Sequence, residues 1–262
     1  MIDMHSRAVS IDVDSSNSSL PIILSYPSNY NSNDIVEHTR SMIRELELLN
    51  IKNIIFEGNT LLTNNLSVLG KGCTSIVVKA LNKDGNVVAL KIMRRDSNRA
   101  SVEHEANILK IVNRIGIGPK VIAYTKHVLV MEFIEGLIIK EWLNLIKDKC
   151  YNEVNVNMVV RDILEQCYRL DTIGVDHGEL SNMHKHVIVS SNGACIVDFE
   201  SASIRRRVSN LTSAVQYLFL SFNDINYLLH IDRSMLIDTL KAYKHDMSRR
   251  VFDELLKLLL LK

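Results

Sequence analysis

Three histidines and two carboxylates fall within DHGELSNMHKHVIV, residues 176–189 of a 262-residue chain that holds nine histidines. Asp176, His177, Glu179, His184 and His186 are residue types that ligate zinc or iron, and also types that carry protons. Upstream, GKGCTSIV sets Gly70 and Gly72 on either side of Lys71, with Ser75 and Val77 following. Glycines in such a loop let backbone N–H groups approach phosphate oxygens with no Cβ in the way. Lys91 closes VALK fourteen residues after Val77, and a lysine in an otherwise apolar strand calls for an anionic partner. Glu105, another fourteen residues on, is a candidate for that partner. In IVDFE, residues 196–200, Asp198 ends an apolar run, where a carboxylate is costly to bury unless it meets a cation or donors.

The hydrophobic pattern supplies two kinds of scaffold for these groups. Residues 15–33 are rich in Ser and Asn and hold two of the three prolines, which reads as a loop or a loosely attached arm. From Asp34, the residues Ile35, Met42, Ile43, Leu46 and Leu49 trace one helical face, and Asn50 is placed to end it. IKNIIF reads as a strand. LSVLGKGCTSIVVKAL and NVVALKIM read as strands joined by NKDG, whose Asp-Gly is a hairpin signal. Helical spacing returns over 98–115 through Val102, Ala106, Leu109 and Val112, with Gly116 as the left-handed stop, and HVLVMEF reads as a buried strand. Past Gly136 the pattern is mainly helical. Val156, Val159, Ile163, Cys167 and Leu170 mark a helix ending at Gly174, further helical patterns cover 209–222 and 232 to the end, and HVIV and ACIVDF interrupt them as strands. The expectation is an α+β chain of two lobes, β-rich then helical.

Glycine loop, VALK and a helix glutamate in this order resemble the N-lobe of a protein kinase. The resemblance implies that Lys91 and Glu105 form a phosphate clamp, with Glu105 preferred over Glu103 because two residues separate it from an Ile-Leu pair. It also puts Gly70, Lys71, Gly72, Ser75, Val77 and Ala89 in the nucleotide site, Ser75 standing where the third glycine would be. LVMEFIEG is similar to the strand and hinge that lead into the second lobe. Met131 would then back the adenine pocket, and backbone groups of Glu132 and Ile134 would face the adenine edge. IVDFE is similar to the DFG segment, which makes Asp198 the acid that holds magnesium against the β- and γ-phosphates, with Glu200 in place of glycine.

HGEL, nineteen residues before Asp198, stands where the catalytic loop reads HRDL in protein kinases, and HGDL in the RIO kinases and the small kinase of the tRNA-modifying KEOPS complex. Glu179 then occupies the position of the base. Lys185 would reach the transferring phosphate as a point charge. His184 or His186 would replace the missing metal-binding asparagine beside Asp198. Sequence leaves open whether Asp176 or Glu179 takes the proton. As a set, over roughly residues 40–225, the motifs resemble a group of predicted archaeal serine/threonine kinases related to the RIO and KEOPS enzymes. The implied fold is a bilobal protein-kinase-like one: residues 1–60 an N-terminal extension with one helix and a short strand, 61–135 the N-lobe, and 136–262 a compact helical C-lobe.

The resemblance implies ATP with magnesium or manganese as cofactors, a protein serine or threonine as acceptor, and autophosphorylation. Three other readings stand beside it: a nucleotide-binding pseudokinase or regulatory module, a small-molecule kinase, and a metal-dependent hydrolase built on the histidine cluster. Thirty-one Lys and Arg balance thirty Asp and Glu, so no global field attracts nucleic acid or a bilayer. RNA or a ribonucleoprotein would have to be met locally, at MRRDSNR (93–99) or at Arg205–Arg207 beside Ser201, Ser203 and Ser209. Cys73, Cys150, Cys167 and Cys195 form no CxxC pair and read as reduced thiols. No leader or membrane-length apolar run is visible, so the expected location is the cytoplasm. Composition sets no oligomeric state.

Overall fold

The computed structural model describes residues 9–13, 19–27, 32–63, 66–147, 156–221 and 232–259; Cys150 lies outside them. The chain divides into two compact units, residues 1–107 with 120–133, and residues 108–119 with 134–262. The first is dominated by an antiparallel sheet and the second by helices, the expected α+β arrangement.

In the first unit, strands β1 (Val9–Asp12), β2 (Ile51–Phe56), β6 (Ser75–Asn82), β7 (Val87–Met93), β9 (Val128–Glu132) and β8 (Val121–Tyr124) follow one another across the sheet in that order. β5 (Gly70–Lys71) pairs with β6 as well, and β3 (Thr60–Thr63) with β4 (Leu66–Val68) forms a separate ribbon. The β6–β7 hairpin turns at NKDG, where Gly85 takes φ +83° and Asn82 Oδ1 accepts the Asn86 N–H at 2.8 Å. β7 reads as an apolar run because both its faces are covered. Helix α2 (Ser32–Leu48) buries Met42 and Leu46 against the sheet's core, and Asn50 stops it in the left-handed region at φ +56°. The first sixty residues belong to this unit, since β2 pairs directly with β6.

Residues 19–24 differ from the expected arm. They form helix α1 (Ser19–Leu24), with Leu20, Ile23 and Leu24 buried. Their i, i+3, i+4 spacing makes one apolar face, which outweighs the Ser/Asn-rich flanks. Ser25 follows, its hydroxyl 2.9 Å from Thr39 Oγ1 of α2.

Helix α3 (Glu103–Asn113) is shorter than the 98–115 pattern, and Gly116 takes φ +67°. In the second unit, β10 (Leu137–Ile138), β11 (Val187–Ser190) and β12 (Gly193–Ile196) make a three-stranded antiparallel sheet. Helix α4 (Ile139–Lys147) buries Trp142, and helix α5 (Val156–Thr172) buries Val159, Ile163, Cys167 and Leu170 before Gly174 stops it at φ +72°. Helix α6 (Asn210–Val215) continues as a π-helical turn, Gln216–Ser221. The single pattern from residue 232 onward is two helices, α7 (Arg233–His245) and α8 (Arg249–Leu258). Ser248 starts the second by accepting the Val251 N–H, a cap that competes with continuation. Tyr168 of α5 stacks on Phe252 of α8 at 4.5 Å. Among the described residues no helix is long and apolar enough to cross a membrane.

Candidate active site

The first unit carries the phosphate-facing candidates. Register sets Val77 opposite Lys91 and Lys91 opposite Leu129, and Lys79 opposite Ala89 and Ala89 opposite Met131. Directly opposed residues share a face of the pleat, as do residues two apart, so Val77, Ala89, Lys91 and Met131 lie on one face. Lys91 Nζ is 2.6 Å from Glu105 Oε2, with side-chain exposures of 5% and 3%. A charge that far from water persists only when paired, so the pair fixes the ammonium in place.

The glycine loop is held at its ends. Gly70 opposes Val77, Lys71 opposes Ile76, Gly72 N–H donates to Ser75 O at 2.9 Å, and Arg94 Nη1 donates to Gly72 O at 2.8 Å. Neither Gly70 nor Gly72 has a positive φ, and a Cβ there would approach nothing closer than 3.9 and 3.6 Å. The fold therefore asks for glycine at neither position, since a Cβ there would make only ordinary contacts. Ser75 is buried, whereas Lys71 is exposed and reaches Tyr26 Oη and Leu61 O only at 3.5 Å. Glu132 donates its N–H to Lys120 O and accepts the Lys120 N–H on Oε2, so those groups are engaged. Ile134 falls in the second unit and is half-buried.

The second unit folds the DHGEL stretch into a loop between α5 and β11. Asp176 forms an antiparallel bridge with Ser203, and its buried carboxylate accepts from Arg206 Nε at 2.7 Å, Ser209 N–H at 3.1 Å and Ser209 Oγ at 3.3 Å. His177 is buried completely. Its Nε2–H donates to Val197 O at 3.0 Å, while Nδ1 accepts the Glu179 N–H at 3.4 Å, which fixes the neutral tautomer. Burial pushes its pKa down from 6.5 to about 4. His177 is thus a clamp on the loop backbone. Gly178 takes φ +90°, and a Cβ there would run into the Arg206 guanidinium and Ser201 O.

Glu179 is the accessible carboxylate, 39% exposed. Its Oε1 accepts from Ser201 Oγ at 2.8 Å and its Oε2 lies 2.8 Å from His186 Nε2. His186 is buried, and its Nδ1 faces Asp198 Oδ2 at 3.5 Å without a hydrogen-bond partner among the described residues. Burial lowers the His186 pKa, although the carboxylates of Asp198 and Glu179 pull the other way. Asp198 holds a left-handed backbone, φ +68°, a conformation unusual for a residue with a side chain and a mark of strained sites. Ligand atoms of Glu179, His186 and Asp198 lie within 4.8 Å of one another. A carboxylate beside an unpartnered buried imidazole nitrogen fits a divalent cation, which Asp198 and His186 would hold. His184 is turned away, its Nδ1 2.6 Å from Asn182 Oδ1, and Lys185 is exposed.

Several positioning residues escape motif reading. Ser201 and Arg206 follow DFE, and only the fold brings them to Glu179 and Asp176. Asp171 and Gln166 left a trace, as polar residues on the buried stripe of α5. Asp171 accepts from Asn210 N, Asn210 Nδ2, Leu211 N and Tyr243 Oη, starting α6; burial raises its pKa in spite of those donors. Gln166 bonds Ala194 O at 2.7 Å and Asp162 accepts the Ala194 N–H at 2.7 Å, which holds the strand leading to Asp198.

Comparison with known proteins matches a RIO domain over residues 77–206. Uncharacterized protein MJ1211 of Methanocaldococcus jannaschii is 32% identical over 90 residues, 34% of this chain and 72% of that protein. The RIO interval runs from Val77 to Arg206 and contains Lys91, Glu105, Glu179, His186 and Asp198.

Proposed function

The chain belongs to the RIO-domain family of atypical, kinase-like ATP-binding phosphotransferases, and from that premise we propose that it moves the γ-phosphoryl group of ATP to a serine or threonine hydroxyl of a protein, including its own. The observation that carries this reading is the Ser201 hydroxyl hydrogen-bonded to Glu179 at 2.8 Å. A carboxylate that already accepts a bond from an alcohol has the reach and polarity to take an acceptor hydroxyl's proton. Glu179 is preferred to Asp176 for that role because it is accessible, whereas Asp176 is buried and held by Arg206 and Ser209.

In this mechanism Lys91, fixed by Glu105, holds phosphate oxygens by charge. The glycine-loop backbone would approach the phosphates closely, since Gly70 and Gly72 carry no Cβ. Asp198 and His186 would hold magnesium or manganese, which would supply positive charge to screen the phosphates. Glu179, its carboxylate set by His186 and Ser201, receives the acceptor's proton as the new P–O bond forms and the bond from the γ-phosphorus to the bridging oxygen breaks, releasing ADP. The substrate is a protein in the cytoplasm. The basic runs at 93–99 and 205–207 would serve an RNA or ribonucleoprotein partner only in part, since Arg206 and Arg207 are bonded to Asp176 and to Lys244 O.

The test is transfer of labelled γ-phosphate with magnesium or manganese to the protein itself and to general protein acceptors. Wild type and Asp176→Ala should transfer, while Glu179→Ala and Asp198→Ala should not. ATP-dependent thermal stabilisation without transfer by the wild type would overturn the kinase reading in favour of a nucleotide-binding module.

A further inference from the structure

Resting on the cation role given above to Asp198 and His186, we propose that this centre selects a later first-row transition cation such as Co²⁺ over Mg²⁺, with Glu179 acting through the His186 ring as the outer carboxylate of a carboxylate–histidine–metal arrangement.

Three observations support it. First, the His186 ring is buried, and its two nitrogens face two different carboxylates, Nε2 toward Glu179 at 2.8 Å and Nδ1 toward Asp198 at 3.5 Å. The short contact makes Nε2 the donor, because a carboxylate only accepts. Nδ1 then presents a lone pair to the Asp198 carboxylate, with no hydrogen-bond partner among the described residues.

Second, 3.5 Å is long for an N–H···O bond, which runs from about 2.7 to 3.2 Å, so a proton bridges the gap poorly. Two ligands about 2.1 Å from one ion span that gap at a bond angle near 113°.

Third, a neutral imidazole suits transition cations and contributes little to magnesium, which prefers all-oxygen sets. An outer carboxylate on the far ring nitrogen orients the ring and raises its basicity, and losing it typically costs about 10–100-fold in metal affinity.

The experiment uses full-length protein without an affinity tag, stripped with chelator and titrated with the metal alone. Co²⁺ binding is followed by its visible absorption, with and without excess Mg²⁺. Saturable one-to-one binding that survives a roughly hundredfold excess of Mg²⁺ is expected. His186→Asn should weaken Co²⁺ at least about tenfold and narrow the preference over Mg²⁺. Should that buried substitution prevent folding, checked by circular dichroism, Glu179→Gln serves instead, with an expected loss of about 10–100-fold. Displacement of Co²⁺ by equimolar Mg²⁺, or unchanged Co²⁺ affinity in folded His186→Asn, overturns the inference. Magnesium-supported phosphate transfer alongside either result would leave the kinase reading standing; selective Co²⁺ binding with no transfer under any cation would sink that reading alone.

Discussion

Lys91 Nζ and Glu105 Oε2 lie 2.6 Å apart with both side chains almost wholly removed from water, so each is the other's answer to the cost of burying a charge. Glu105→Gln removes a buried anion from beside the ammonium and should destabilise the protein by about 3–5 kcal/mol. The double variant Lys91→Met, Glu105→Gln should recover most of that in urea unfolding, while ATP-dependent stabilisation stays absent. A single Glu105→Gln protein as stable as wild type would refute the pairing.

Glu179→Gln keeps side-chain volume but removes the group proposed to take the acceptor's proton. Transfer should fall by about 10²–10⁴-fold, with the unfolding midpoint near that of wild type, because Glu179 is 39% exposed. Asp176→Ala should show the opposite pattern. Its loss leaves Arg206 and the Ser209 N–H without their acceptor, at a cost of about 1–3 kcal/mol, whereas transfer per folded molecule remains.

Gly178→Ala sets a Cβ at φ +90° against the Arg206 guanidinium and Ser201 O. Backbone strain of about 1–3 kcal/mol adds to the displacement of Arg206. A melting temperature lowered by several degrees is expected, together with weaker activity as the neighbouring Glu179 shifts. Gly85→Ala, also at positive φ but with nothing within 4 Å, isolates the backbone part of the cost.

Glu45 of α2 gives a pH signature in the first unit. Burial raises its pKa, but hydrogen bonds from Thr125 and from the ring and backbone N–H of His127 outweigh this and lower it overall. A carboxyl with a depressed folded pKa contributes stability above its unfolded value of about 4.5, and that contribution is lost as pH falls through the folded value. Glu45→Gln should therefore cost about 2 kcal/mol at pH 7, with the gap from wild type closing below pH 4 in denaturation curves. A gap independent of pH would show that charge plays no part.

Most of the element order is legible in the sequence because its causes are local. Periodicity placed α2, α3 and α5, and the stops at Asn50, Gly116 and Gly174 take the left-handed conformation their positions suggest. The Asp-Gly hairpin and the apolar run of β7 follow from turn chemistry and two-sided burial. Helix α1 was hidden because Leu20, Ile23 and Leu24, inside a Ser- and Asn-rich stretch, gain their value only from the core they enter. The break before Ser248 was hidden because a cap and a continued helix look alike in periodicity.

The candidate site divides along the same line. Residue type and spacing alone determined that Lys91, Glu105, Glu179 and Asp198 were the charged groups to watch, since buried charge needs a partner and motif order restricts the choices. Tertiary structure decided which carboxylate stays open and which histidine turns inward. Asp176 is engaged by Arg206 thirty residues later, Glu179 by Ser201 twenty-two residues later, and His184 sits in the last 3₁₀ turn whereas His186 caps it and enters the core. Those outcomes depend on contacts between segments distant in sequence, whose energies no local pattern contains.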